Sequence, residues 1–568
     1  MLNRALSWSF LVALCVVAQE TEERVSRLVV TAQGPVRGYK DPAGDLFVFY
    51  GVPYATAPTG PHRFKAPLPP PRWEEPLEAI HTNIVCPQVE HSTTNQIMQE
   101  DCLIANIHVP DTDDKNLPVA VYVHGGAFQN GRGGSIKLTT FVQNKKVIVV
   151  TFNYRVGIHG FLCLGTNDAP GNAGMKDQVA LLRWVNTNIE KFGGNPQDVT
   201  IIGCSAGSAS VDLLMLSKSA RGLFNKVISG SGSSISAFSV QIDPVENAKM
   251  HAKILNFSNV DDTYALGKFY ATVPFEDLLL RNTFRVQKDT SVVFAPCVER
   301  YTGVEMFLDE APINILRNGN YRKVPVIYGF TDMEGLMRLP EFEEWSVEMN
   351  DDFTPFLPID LQFRNEEEKK EVAQTIKEFY FGDKPVNEDT ILEYLDFNTD
   401  VLFAHSMLWS VNIQVENGNN DIYLYEYSYV DKNVSSVPYA HVVGAGHCAQ
   451  EFLLLDEKGG IAVDESSMSV KYKDMKSIIA DLWYNFIRTS KPVPDNSSLP
   501  MWPPVVSNCS PHMSFGQTLE LKGPLLEQRA RFWDNIYARF YRAPKAPEPT
   551  HKTNPMHKPK PIHKPRPK

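Results

Sequence analysis

The chain has no apolar run near the roughly 18 residues that a membrane-spanning helix needs. No internal repeat is visible in its body. Cysteine is sparse, eight in 568 residues. Cys15 falls inside a leader-like segment, so seven remain, and an odd number leaves at least one thiol free or joined to another chain. An excess of positive charge is missing too. The formal charge is −11, and an acidic body argues against nucleic acid as the main partner.

The last segment runs the other way. Residues 543–568 carry seven Lys/Arg and one Glu, net +6, which leaves −17 for the rest. They repeat His-Lys at 551, 557 and 563, hold eight prolines and have almost no apolar residues. Such a segment cannot bury a core and is expected to be a basic, disordered tail. A solvated tail that adds solubility is the plainer reading. An anionic partner or weak metal binding by the histidines are its alternatives.

What is present is enough for a large core: 43% of the residues are hydrophobic, in a chain too long for a minimal single domain. Residues 1–18 read as a secretory signal peptide. Arg4 supplies the positive start, 6–17 is mostly apolar, and Val16-Val17-Ala18 offers small residues for cleavage before Gln19. The expected location is therefore extracellular. Sequons at Asn256, Asn433, Asn496 and Asn508 suit a secreted glycoprotein. Cys86 and Cys102, close together in a loop-rich stretch, are the best disulfide candidates.

Between signal and tail, residues 19–542 read as alternating strands and helices. The β-branched runs 119–123, 147–151 and 199–202 suit buried strands, and 324–328 and 422–426 are later candidates. Leu181, Leu182, Val185, Ile189 and Phe192 recur at helical spacing over 177–192, and Gly193-Gly194 stops the run. That is a βαβ unit, so a mostly parallel sheet flanked by helices is expected. The Pro-rich stretch 66–73 reads as a loop, not as a linker between domains.

The chemistry centres on Gly203-Cys204-Ser205-Ala206-Gly207, a G-x-S-x-G directly after an apolar strand. Such a strand-to-helix turn pushes a serine out at its tip. A serine hydroxyl needs a base to take its proton and an acid to orient that base. Ser, then Asp/Glu, then His is a known chain order for such triads. Two glycine-flanked loops after strand candidates fit. One holds Asp332 and Glu334 between Gly329 and Gly335, and the other is Gly444-Ala445-Gly446-His447. His405 and His441 are rival bases, and the Gly-x-x-His pattern favours His447. His124-Gly125-Gly126-Ala127-Phe128 follows the strand 119–123. Its bare N–H groups, with that of Ala206, suit an oxyanion hole worth about 3–4 kcal/mol per donor. His124 is expected to position that loop, not to exchange protons.

Taken together, these stretches resemble the type-B carboxylesterase/cholinesterase family of α/β-hydrolases. The resemblance is carried further by Tyr50-Gly51-Val52-Pro53-Tyr54-Ala55, Arg63-Phe64, Glu100-Asp101-Cys102-Leu103, Asn153-Tyr154-Arg155 and Gly171-Asn172-Ala173-Gly174. Asp177-Gln178, Phe192-Gly193-Gly194-Asn195-Pro196, Glu334-Gly335 and Phe532-Trp533 complete it over roughly 28–541. It implies an α/β-hydrolase fold and two-step acyl transfer with no metal or organic cofactor. Ser205 is then the nucleophile, Glu334 the acid, His447 the base, and Gly126, Ala127 and Ala206 the oxyanion donors. Ser231 matches a serine that supports the acid, Cys86–Cys102 the family's first disulfide, and Arg63 with Glu100 a structural ion pair.

The departures bear on substrate. Position 204 is Cys, where cholinesterases carry an acidic residue and juvenile hormone esterases typically have Gln. The polar run His91-Ser92-Thr93-Thr94-Asn95 holds no counterpart of the choline-binding Trp, so acetylcholine lacks its cation–π platform. No cysteine lies between Cys204 and Cys297, so the family's second disulfide is missing. Gln450 replaces the usual acid three positions after His447. Cys204 and Cys448 flank two triad residues; proximity in the folded state would let them bond, but buried, inert thiols are the expectation there.

The expected partner is a small-molecule ester of lipophilic character. Secreted insect esterases that degrade odorants, pheromones, hormones or dietary esters are similar. A catalytically inactive adhesion protein of the same family, or a hydrolase of amides, thioesters or glycerolipids, are the alternatives.

Overall fold

A computed structural model of the chain describes residues 24–89, 96–280, 286–431, 439, 441–458, 461–462 and 468–550. The signal segment 1–18, the polar run 91–95, Asn433 and the tail from 551 lie outside them. Among the described residues, twelve strands run across the main sheet: β1 (Ser26–Val30), β2 (Pro35–Lys40), β3 (Leu46–Pro53), β4 (Ile104–Pro110), β5 (Leu117–Val123) and β6 (Ile148–Phe152), then β7 (Gly194–Cys204), β8 (Lys226–Gly230), β9 (Val326–Thr331), β10 (Ile422–Tyr427), β11 (His512–Phe515) and β12 (Leu519–Lys522). Their spatial order is β1-β2-β3-β4-β6-β5-β7-β8-β9-β10-β11-β12, and a short strand, Leu77–Glu78, pairs with β2. From β6 through β5 to β11 every neighbouring pair is parallel, while both margins are antiparallel. The two strands of the expected βαβ unit, β6 and β7, both pair with β5.

Eight of the helices are α1 (Ala173–Asn188), α2 (Ala206–Leu216), α3 (Pro244–Ile254), α4 (Thr263–Thr272), α5 (Ile391–Thr399), α6 (His405–Glu416), α7 (Val470–Thr489) and α8 (Glu527–Phe540). The β-branched runs predict the central strands because a strand covered on both faces has no solvent side to spare. Alternate residues divide between two cores. Val119, Val121 and Ile201 pack with α1 and α2 on one face, and Ala120, Tyr122 and Ile202 with α7 on the other.

Helix α1 begins four residues earlier than its apolar spacing implies, and its last turn, Ile189–Phe192, tightens to a 3-10 helix. Gly193 then stops it at φ 94°, as the Gly-Gly pair implies. Residues 66–73 form no helix or strand, only a bridge from Leu68 to Thr56.

One cysteine expectation needs correction. Cys86–Cys102 is a disulfide, but so are Cys163–Cys297 and Cys204–Cys448, so the last pair is not two inert thiols. Parallel strand order brings the ends of β7 and β10 to one rim, where these two Cα atoms lie 6.2 Å apart. Cys509 is the one free cysteine among the described residues, and it is buried.

Residues 543–550 of the expected tail lie within the described structure. Pro544 and Pro547 are buried, and Thr550 N–H donates to Thr263 Oγ1 at 3.0 Å at the start of α4. A proline-rich stretch needs few backbone partners, so it can lie flat along a helical surface.

Candidate active site

The candidate residues collect at the carboxyl ends of β5, β7, β8, β9 and β10, where open parallel sheets place their ligand crevices. β7 delivers Ser205 at φ 61° and ψ −128°. Crowding explains the glycines around it. A Cβ on Gly207 would sit 2.2 Å from Val123 O, one on Gly203 2.4 Å from Gly207 O, and one on Gly125 2.7 Å from Cys204 O. Ser205 N–H donates to Gly230 O at 3.0 Å, which pins the turn to β8.

Glu334 follows β9 and is fully buried. Its Oε1 accepts from Thr331 N–H at 2.9 Å, and its Oε2 lies 2.5 Å from His447 Nδ1. A carboxylate oxygen accepts, so Nδ1 carries the proton and Nε2 offers its lone pair. Nε2 is buried without a hydrogen-bond partner. The imidazole stacks on Phe403 at 4.5 Å. Phe403 stands in a short π-helix, Asp400–Ala404, that joins α5 to α6. Such widened turns often re-aim side chains at functional sites.

The rivals have other partners. Asp332 Oδ1 accepts from Ala445 N–H at 2.8 Å, which fastens the β9 loop to the His447 loop. Burial pushes this carboxyl up to about 7. His405 Nε2 lies 3.2 Å from Asp534, and His441 is exposed. Ser231 departs from expectation. Its Oγ is buried but makes no hydrogen bond, and the second contact on Glu334 comes from the Thr331 backbone instead.

The loop after β5 turns through three positive φ values, 110° at Gly126, 52° at Ala127 and 61° at Phe128. His124 Nδ1 lies 2.8 Å from Gly125 O and its ring stacks on Tyr154 at 4.2 Å. Burial holds it neutral by lowering its titration to about 4. Ala206 opens α2, where the N–H has no acceptor within the helix.

A cavity of about 650 Å³ joins these parts. Ser205, His447, Gly126 and Ala127 line it, with Phe238, Met337, Leu402 and Phe403 as apolar walls and both Cys204 and Cys448 in its surface. Glu451 also lines it. Tyr122 OH donates to Glu451 Oε2, and burial raises this carboxyl to about 7. Gln450 is fully buried behind it. Glu451 and the apolar walls escape a reading by motif. An adjacent acid after a histidine loop is the one signal that points to Glu451, and the phenylalanines look like ordinary core.

Asn256, Asn496 and Asn508 are exposed, as attachment sites must be. The Arg63–Glu100 pair is nearly buried at 2.7 Å.

Sheet order, loop positions and cavity define an α/β-hydrolase built around a serine-centred cavity. The chain belongs to the carboxylesterase family, whose sequence model matches residues 25–533. It is similar to a juvenile hormone esterase of Heliothis virescens, 32% identical over 89% of this chain and 93% of that protein. A carboxylic ester hydrolase of Bombus ignitus is 32% identical over 82% of this chain and 85% of its own length. The crystal structure of juvenile hormone esterase from Manduca sexta with OTFP covalently attached matches with a TM-score of 0.80 at 30% identity. It covers 90% of this chain and 100% of that one. The protein is a carboxylic ester hydrolase.

Proposed function

We propose that Ser205, His447 and Glu334 carry out this hydrolysis through an acyl-serine intermediate. The observation that carries the reading is the 2.5 Å contact from His447 Nδ1 to Glu334 Oε2, which leaves Nε2 unpartnered at the cavity that Ser205 enters. Ser205 Oγ attacks the ester carbonyl as Nε2 takes its proton. The N–H groups of Gly126, Ala127 and Ala206 receive the oxyanion, and the imidazolium hands its proton to the departing alcohol. Water then repeats the sequence on the acyl-enzyme. Catalytic hydrogen bonds often tighten only around substrate.

The substrate in this reading is a lipophilic ester, since phenylalanine, leucine and methionine form the walls. Hormone, odorant, pheromone and dietary esters all fall in that class, and a panel varied in acyl and alcohol parts separates them. The enzyme is secreted after cleavage before Gln19 and glycosylated at the exposed sequons. Its catalytic domain extends to the docked stretch ending at Thr550. Ser205→Ala is expected to keep its circular dichroism and melting temperature. It should lose hydrolysis of short p-nitrophenyl esters by roughly 10⁵-fold or more. Wild-type turnover in the purified variant overturns the assignment.

A further inference from the structure

Two half-cystines bracket the proposed catalytic pair. Cys204 precedes Ser205 and Cys448 follows His447, and the two are joined across 244 residues of chain. Cys204 closes β7 in the middle of the sheet, in register with Gly230 of β8. Cys448 lies beyond β10, three strands away. The His447 ring stacks on Phe403 between α5 and α6, and hydrogen bonds tie its loop to the β9 side. Ala445 pairs with Asp332 and Met333, and Glu334 holds Nδ1. None of these reaches the strand that bears Ser205. Further on, the Tyr122–Glu451 bond anchors the chain to β5.

Cys448 also sits at φ 62°, a conformation that persists only when its surroundings impose it. Both half-cystines are nearly buried, at 3% and 7% exposure, yet both form part of the cavity wall.

We propose that the Cys204–Cys448 disulfide is the positioning clamp of the catalytic pair. It sets His447 against Ser205, so ester turnover depends on its remaining oxidised. This rests on the reading of Ser205 and His447 given above. A dithiol entering the cavity cleaves the clamp in a balanced exchange. The S–S bond breaks, each sulfur gains a proton, and the reagent leaves as its own disulfide.

The test compares Cys204→Ser/Cys448→Ser with Cys163→Ser/Cys297→Ser. The second pair removes a disulfide that closes a 134-residue separation outside the cavity. Both variants lose a constraint on the unfolded chain, so both melt earlier. Only the first is expected to lose kcat, by roughly 10- to 100-fold with KM within about twofold, as a small misplacement of catalytic groups implies. Its Ser205 should also react more slowly with an organophosphate. Unchanged kcat, or a shift confined to KM, overturns the clamp.

Should the first variant fail to fold, the wild-type enzyme is titrated with dithiothreitol. Paired sulfurs are then counted by mass after acid quenching. Turnover lost in step with reduction of Cys204–Cys448 and regained on reoxidation supports the clamp. Full turnover with that pair reduced overturns it. Ser205→Ala keeps the two proposals apart. Activity in that variant sinks the nucleophile and the clamp together. An inactive Ser205→Ala beside a fully active cysteine variant sinks the clamp alone.

Discussion

Ser205 holds a backbone conformation that residues with a Cβ rarely adopt, and its neighbours leave no room for relief. Gly207→Ala tests this directly. Its Cβ would meet the Val123 carbonyl at 2.2 Å, and a backbone atom of a central strand cannot step aside. Urea denaturation should show a loss of about 1–3 kcal/mol, as for other overpacked sites. The displaced elbow should also lower kcat by at least about tenfold. The positions proposed as a triad could be picked out because each stands in a tight loop that needs glycine, and glycine patterns survive in one dimension. Phe238 and Phe403 were not, because an apolar wall of a cavity is written in the same letters as a core. The disulfide at Cys204 was legible only as the second choice, because distance along the chain does not say whether two loops meet at one rim.

Among the elements, α1 is held at its start by a buried ion pair. Arg155, just beyond β6, donates from Nε and Nη2 to Asp177 at 2.8 and 2.6 Å, and its Nη1 reaches Arg63 O and Lys65 O. Exposure is 2% and 0% for the two side chains. Asp177→Ala would leave the guanidinium buried with only carbonyl partners. It is expected to cost about 3–5 kcal/mol in chemical denaturation, whereas removal of an exposed pair such as Arg183–Glu305 falls within about 1 kcal/mol. Helix α1 itself could be read from apolar spacing, but its first turn could not. Asn172 caps no backbone N–H there. Its side chain serves Cys297 and Glu299 instead, so tertiary contacts set the boundary. The π-helix that aims Phe403 at His447 likewise follows from packing of α5 and α6, not from any local motif.

Across the whole molecule, the central parallel order could be inferred from β-branched runs alternating with a helical pattern. The antiparallel margins could not, because β1, β2 and β12 carry weaker, half-exposed patterns. The junction between body and tail shows how buried charge ties stability to pH. Asp360 accepts from Tyr537 OH at 3.0 Å and its backbone carbonyl from Arg542 N–H at 2.7 Å. Burial pushes its carboxyl from 3.8 up to about 7. The native state thus keeps a proton that the unfolded chain has already lost between those values. The stability from this group is complete below the lower value and is lost as the pH rises to the upper one. Asp360→Asn removes the titration. The melting-temperature advantage of wild type over the variant should shrink from pH 4 to 7 and then level off. A gap that widens over that range contradicts the assignment.

Cys509 carries a last consequence. Its Sγ donates to Leu408 O at 3.2 Å, and burial raises its thiol. With the other described cysteines paired, no described residue of the folded enzyme presents a sulfhydryl to an alkylating reagent. The chain therefore carries its own clock for opening. Each molecule that takes up a label at Cys509 has exposed its interior at least once.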